Sequence, residues 1–202
     1  ELDIAVLLSM RALFFTGNIK ELRAKLPVHL REAQERGNLY ALYGLRTGHL
    51  IGAWLADDDV DGAMAQLDDA TRDEAQHEDA ELDLRGTHAF MSRANIALYR
   101  DAFGDESASL SDEGLPAQGR LLVQALKDSP LSEIQQERVD LWWTEARLLV
   151  AMAAKRQKNR EALLVEAEKL ALRLKKEGVP LSIPASRLIL AAAGRAEGSP
   201  TR

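Results

Sequence analysis

Apolar side chains recur every three to four residues along most of the chain, and short polar turns interrupt them. The clearest stretch is 41–75, ALYGLRTGHLIGAWLADDDVDGAMAQLDDATRDEA. Leu42, Leu45, Leu50, Ala53 and Trp54 form one apolar helix face, residues 57–59 make a turn of three aspartates, and Ala63, Leu67 and Ala70 form a second face. Neither helix covers its own apolar side, so the pair needs neighbours.

The same grammar extends in both directions. A first helix is predicted over about 2–16, with Ala5, Leu8, Ala12 and Phe15 sharing one face; it is apolar on most of its circumference, as expected of a helix sandwiched between others. Gly17-Asn18 stops it. The second, about 19–36, carries Ile19, Leu22, Leu26, Leu30 and Ala33 on one stripe before Gly37-Asn38. Pro27 lies in its middle, where the missing donor and the ring clash cost about 3 kcal/mol and predict a bend or break. A long helix is predicted over about 79–103 with Phe90, Ala94, Ala97 and Leu98 inward. Residues 104–120, GDESASLSDEGLPAQGR, read as an inserted loop or an imperfect helix, followed by a short helix at 121–127 and a break at Asp128-Ser129-Pro130. Two strongly periodic helices follow, one on Val139, Trp142, Ala146, Leu149 and Ala153, the other on Leu163, Ala167, Leu170 and Leu174. Gly178 and Pro180 end the latter, a last helix spans about 184–195, and 198–202 reads as a disordered tail.

These elements predict an all-α chain with no strand. Turn signals at Gly17-Asn18, 57–59, Gly104-Asp105 and Lys158-Asn159 fall inside successive hairpins, a spacing longer than the roughly 34 residues of a tetratricopeptide unit. The expected architecture is a tetratricopeptide-like right-handed α-solenoid of about four antiparallel helix pairs plus a terminal helix. Its units are about 1–37, 38–78, 79–130 and 131–178, with a final helix at 183–196, all in one helical-repeat domain of residues 1–197.

Composition narrows the function classes. A hydrophobic fraction of 46% over 202 residues is ample for a core. The formal net charge of -6 argues against general nucleic-acid binding, which needs concentrated basic charge. Cysteine is absent, which removes disulfides and thiolate metal sites and favours a reducing, cytoplasmic setting. No apolar run approaches the roughly 20 residues that cross a bilayer, so no membrane span is expected. The chain opens at Glu1 already inside a helical pattern, which reads as a fragment of a longer polypeptide without a signal peptide.

Candidate chemistry is sparse. Asp57, Asp59 and Asp61, then Gly62 and Asp68, follow the calcium-loop spacing except that Asp replaces the final Glu. The competing reading is a helix N-terminus capped by Asp, and the two conflict because a calcium loop would delay the helix to about Asp68. His77-Glu78 with Glu81 lacks the second His of a zinc-protease helix, and a solvated acidic face accounts for it. His29, His49 and His88 stand apart in sequence and read as groove or surface residues, not ligands. No phosphate loop, dinucleotide fingerprint or nucleophile elbow occurs, so neither a catalytic residue nor a cofactor is expected. Charge is uneven: 57–83 is acidic, while Lys155, Arg156, Lys158, Arg160, Lys169, Arg173, Lys175 and Lys176 concentrate basic charge, either to orient a partner or as ordinary solubilising surface.

In stacked hairpins the first helix of each lines a concave side, where polar or aromatic residues off the packing stripe meet a peptide. Those residues are Tyr43, Arg46 and Thr47 on the third helix and His88, Ser92 and Asn95 on the fifth, with Arg46 and Asn95 suited to a peptide backbone. The alternative is that they link adjacent helices.

Four segments carry a family likeness: Leu13-Phe14-Phe15-Thr16-Gly17, Leu26-Pro27-Val28-His29-Leu30-Arg31-Glu32-Ala33, Leu45-Arg46-Thr47-Gly48 and Trp54-Leu55-Ala56-Asp57-Asp58-Asp59. With Ile96-Ala97-Leu98-Tyr99 and Glu177-Gly178-Val179-Pro180, they resemble the C-terminal tetratricopeptide-like region of large multidomain bacterial serine/threonine kinases of the myxobacterial type. The resemblance implies a parent with a kinase domain and an ATPase-like module outside this chain, which itself has no H-R-D or D-F-G segment. Asp83-Leu84-Arg85-Gly86-Thr87-His88 and the 104–120 insertion depart from the family pattern.

The expected function is therefore a non-enzymatic interaction, sensor or scaffold module of a signalling protein, binding a peptide, a protein partner or other domains of its parent. The alternative is a structural or self-associating array, a possible homo-oligomer, for which the adjacent Trp142 and Trp143 are the signal: both cannot face one core, and an exposed Trp143 would mark an interface.

Overall fold

The computed structural model describes residues 2–72, 84–104, 114–155 and 159–198. Among them every regular element is helical: α1 (Leu2–Phe15), α2 (Ile19–Glu35), α3 (Leu39–Arg46), α4 (Gly52–Leu55), α5 (Val60–Thr71), α6 (Leu84–Ala102), α7 (Gly114–Ala125), α8 (Gln135–Lys155), α9 (Arg160–Glu177) and α10 (Ser182–Ala196). Short 3-10 turns occupy Gly48–Ile51, Leu126–Asp128 and Pro130–Glu133. No described helix is long and apolar enough to cross a membrane. The chain divides into two compact units, Glu1–Arg100 and Asp101–Arg202. The division falls in the last turn of α6, inside the stretch that periodicity groups as one hairpin.

In the first unit one turn is used three times. Gly17, Gly37 and Asp58 adopt left-handed backbone, with φ of 72°, 63° and 60°. The next amide reaches back five residues each time: Asn18 to the Leu13 carbonyl (2.9 Å), Asn38 to Ala33 (2.9 Å) and Asp59 to Trp54 (3.1 Å). This closes the orphan carbonyls of the ending helix and reverses the chain. The polar residue after the turn then starts the next helix. Asn38 Oδ1 accepts the Ala41 amide (3.0 Å), and Asp59 Oδ1 accepts that of Gly62 (2.8 Å). Asp3 ties the second turn to α1 by accepting from both Arg36 and Asn38 (2.7 Å each).

The core of this unit follows the apolar stripes with two exceptions. Leu22, Leu26 and Ala33 of α2, Leu45, Leu50 and Ala53, and Ala63 and Leu67 of α5 are all buried as their spacing predicts. In α1 the predicted face is turned outward: Leu7 and Met10 are buried, whereas Leu8 is 60% exposed and Ile4 54%. Because α1 is apolar all round, periodicity cannot orient it, and α2, α3 and the following 3-10 turn pack on one side only. The second exception is the helix predicted across 42–54, which breaks at Thr47-Gly48. Gly48 takes φ of 66° and its amide donates to Ser92 Oγ (2.8 Å), so a contact with α6 outcompetes helix continuity.

Glycines set how closely α1 approaches. A Cβ on Gly44 would stand 2.8 Å from Leu7 Cδ2, and one on Gly52 would stand 2.8 Å from the Phe14 ring. α2 meanwhile runs unbroken through Pro27, without the predicted break. One backbone bond is lost there, while Leu22 and Leu26 on the same helix stay fully buried.

In the second unit α8 packs against α7, α9 and α10. Val139, Ala146, Leu149 and Ala153 of α8 and Leu163, Ala167, Leu170 and Leu174 of α9 are buried, as predicted. Trp142 and Trp143 are both half-buried against the same two core clusters, with Arg173 over the first ring and Arg147 over the second (5.9 and 5.5 Å). Trp143 is thus not the bare aromatic that would mark an interface. Of the two readings of 104–120, inserted loop or imperfect helix, the helix holds from Gly114: α7 begins there, with Pro116 in its first turn and Pro116 and Gly119 buried. Residues 105–113 and the tail from 199 lie outside the described residues, as do 73–83.

Candidate functional site

Of the six residues nominated from the sequence, the structure brings Tyr43, Thr47, His88 and Ser92 together, and all four are buried. The Tyr43 hydroxyl donates to the Arg85 carbonyl, linking α3 to α6. Thr47 Oγ1 donates to the Tyr43 carbonyl (2.8 Å), and Ser92 Oγ donates to that of His88 (3.0 Å) while accepting from Gly48. Arg11 of α1 donates to His88 Nε2 (3.0 Å), which requires a lone pair on that nitrogen and hence an unprotonated Nε2. Arg46 stands 3.9 Å from Asp69 of α5, and Asn95 is half-buried on α6. This geometry is that of a polar seam joining α1, α3, α5 and α6. His49 is buried as well, stacked on Phe14 at 5.3 Å and edge-on to Phe15 at 4.9 Å, whereas His29 lies partly exposed at the surface of α2, 3.1 Å from Glu32. His49 and His88 are therefore core residues, a correction to their reading as groove or surface.

Of the two readings of the aspartate run, the capped helix N-terminus is the one the structure shows, not the calcium loop. Asp59 caps α5, Asp57 pairs with Arg23, and Asp58 accepts from the Tyr99 hydroxyl (2.9 Å). Asp61 and Asp68 are both inside α5, about 10 Å apart along its axis, too far to share one ion. Helix propensity at 60–71 wins over loop geometry. Among the described residues no three His, Asp or Glu side chains are grouped to hold a metal. His77, Glu78 and Glu81 lie outside the described residues.

Sequence reasoning missed a cleft in the second unit. It is a cavity of about 530 Å³ walled by α7, α8 and α9 and the turn after α7. Glu145 of α8 lines it and is only 1% exposed, and neither of its carboxyl oxygens has a hydrogen-bond partner. Burial pushes this carboxyl up to about 8; Glu166 adds to the rise and Arg120 works against it. Arg120, Lys127, Lys169 and Arg173 surround the opening with positive charge, and Val123, Val165 and Leu170 supply apolar wall. Arg173 is held over the Trp142 ring.

A signal for Glu145 was present in the sequence. Leu141, Leu148 and Met152 form a second buried stripe on α8, and Glu145 occupies the helical position between the first two. Glu137 and Asp140 are buried on the same helix, and Glu145 is the one of the three that lines the cleft; a buried carboxylate of this kind marks a group with a task or a large desolvation cost.

Comparison with protein-family models, with curated proteins and with solved structures returns no match.

Proposed function

We propose that the chain is a non-catalytic protein-interaction module whose partner element is an amphipathic helix. The observation that carries this is the outward face of α1. Ile4, Leu8 and Phe15 are exposed there with Ala5 and Ala12 between them, an apolar stripe about 16 Å long on a helix whose opposite side is packed. Mixed large and small residues at helical spacing fit the ridges and grooves of a second helix. Of the polar residues first assigned to a peptide contact, Tyr43, Thr47, His88 and Ser92 are buried in bonds within the unit, so the contact is assigned to α1.

The wider reading is a tetratricopeptide-like right-handed solenoid forming the C-terminal region of a cytoplasmic bacterial signalling protein, with a serine/threonine kinase domain outside the chain. The threefold use of one turn at Gly17, Gly37 and Asp58, twenty and twenty-one residues apart, supports the repeat part of it. The sequence resemblance supports the rest.

Panning a library of random helical peptides against the chain and its Leu8→Glu variant tests the proposal. Amphipathic peptides enriched on the parent and lost on the variant are expected. Equal enrichment on both, or none on either, refutes it. The second reading, self-association, draws on the same stripe; a dimer in light scattering that Leu8→Glu dissolves would favour it.

A further inference from the structure

The cleft in the second unit is remote in sequence from α1, and the interaction proposal does not use it. Its lining includes a buried carboxyl, Glu145, with both oxygens unpartnered, an arrangement that folded proteins avoid unless something supplies the missing bonds. Its opening presents four cations: Arg120 on α7, Lys127 just after it, and Lys169 and Arg173 on α9. Among the described residues Glu166 is the one other ionisable group lining it, and with Glu145 largely protonated at neutral pH these groups sum to a net positive charge.

We infer that this cleft binds a small organic anion, its carboxylate or phosphate among Arg120, Lys127, Lys169 and Arg173 and an uncharged hydroxyl or amide of the same molecule on Glu145. The volume lies in the range of small-molecule sites, roughly 300 to 1,000 Å³. The apolar wall of Val123, Val165 and Leu170 suits a carbon skeleton, so a bare inorganic ion leaves much of the cavity unused. A protonated carboxyl both donates and accepts, which matches a hydroxyl or an amide. A cationic ligand is disfavoured because it must pass four like charges and ionise Glu145 in a desolvated setting. Ionisation of Glu145 would place a carboxylate against the bound anion, so affinity falls as pH rises past about 8.

Isothermal titration with malate, glycerol 1-phosphate and inorganic phosphate, at about pH 6.5 and about pH 9, tests this directly. One of the two organic anions is expected to bind more tightly than inorganic phosphate; malate or glycerol phosphate as the tighter ligand separates a carboxylate from a phosphate source. Lys169→Glu, on an exposed rim position, is expected to weaken that binding at least about tenfold. Glu145→Gln keeps a donor and an acceptor without a charge, and is expected to bind at the lower pH and to lose most of the parent's weakening at the higher. Lack of binding by both organic anions at about 10 mM, indifference to Lys169→Glu, or an unchanged pH profile in Glu145→Gln would overturn the inference.

Discussion

Replacing Glu145 by Gln should make the protein more stable in alkaline solution, and the size of the effect follows from where the side chain sits. The carboxyl is 1% exposed between α7 and α9 with both oxygens unpartnered, and burial moves its pKa from 4.5 to about 8. Below 4.5 both folded and unfolded chains hold the proton, and nothing is lost. Between 4.5 and 8 the unfolded chain releases it while the folded chain keeps it, so stability falls as pH rises; above 8 the loss is complete. A shift of that size corresponds to an upper bound of about 5 kcal/mol, and partial water penetration reduces it to the order of 3 to 5 kcal/mol. Glutamine has nearly the same shape and no proton to lose. Urea unfolding of the parent and Glu145→Gln, followed by circular dichroism, should agree within about 1 kcal/mol near pH 5 and diverge by the full amount near pH 9, the variant being more stable. Other titrating groups are common to both proteins and cancel in the difference. A variant no more stable than the parent at pH 9 would refute the claim that this carboxyl is buried and unpaired.

Further expectations rest on other parts of the fold. Gly37→Ala meets no atom within 4 Å, so its cost is conformational alone, about 1 kcal/mol from the left-handed backbone, measurable as a lower urea midpoint. Gly52→Ala drives a methyl to 2.8 Å from the Phe14 ring and should cost more, about 1 to 3 kcal/mol, with a change in the near-ultraviolet aromatic signal. Ser92→Ala leaves the buried Gly48 amide without its acceptor and should cost about 1 to 3 kcal/mol; hydrogen exchange at Gly48 should quicken. Glu177 accepts two parallel bonds from Arg138 (2.8 Å each), and that pairing lowers its pKa. Its contribution is present above the unfolded value and lost as pH falls through the lowered one, so Glu177→Gln should destabilise by about 1 to 3 kcal/mol at pH 7 and have little effect near pH 2.

The helical stripes were legible wherever one face of a helix is apolar and the other is not. Leu22, Leu26 and Ala33, or Leu163, Ala167, Leu170 and Leu174, are buried because burying any other face would desolvate charge. The legibility stops at α1, whose all-round apolar surface leaves its orientation to its neighbours. It stops again at Gly48, where a side chain on α6, 44 residues further on, supplies a hydrogen bond that no local window contains. The polar candidates were found as a group, since Tyr43, Thr47, His88 and Ser92 do converge, but their burial depends on α3 and α6 lying together. The cleft around Glu145 escaped notice because its charges come from positions 120 to 173 on separate elements.

The amino-acid sequence by itself determined the all-helical class, the turn positions and which face most helices bury, because 3.6-residue periodicity, left-handed glycines and capping residues act over a few neighbours. Tertiary structure decided which way α1 faces, where the third helix breaks, and that a buried glutamate of α8 lines a cleft with four cations. Those outcomes rest on contacts between residues far apart in the chain, whose energies exist only once the helices have met.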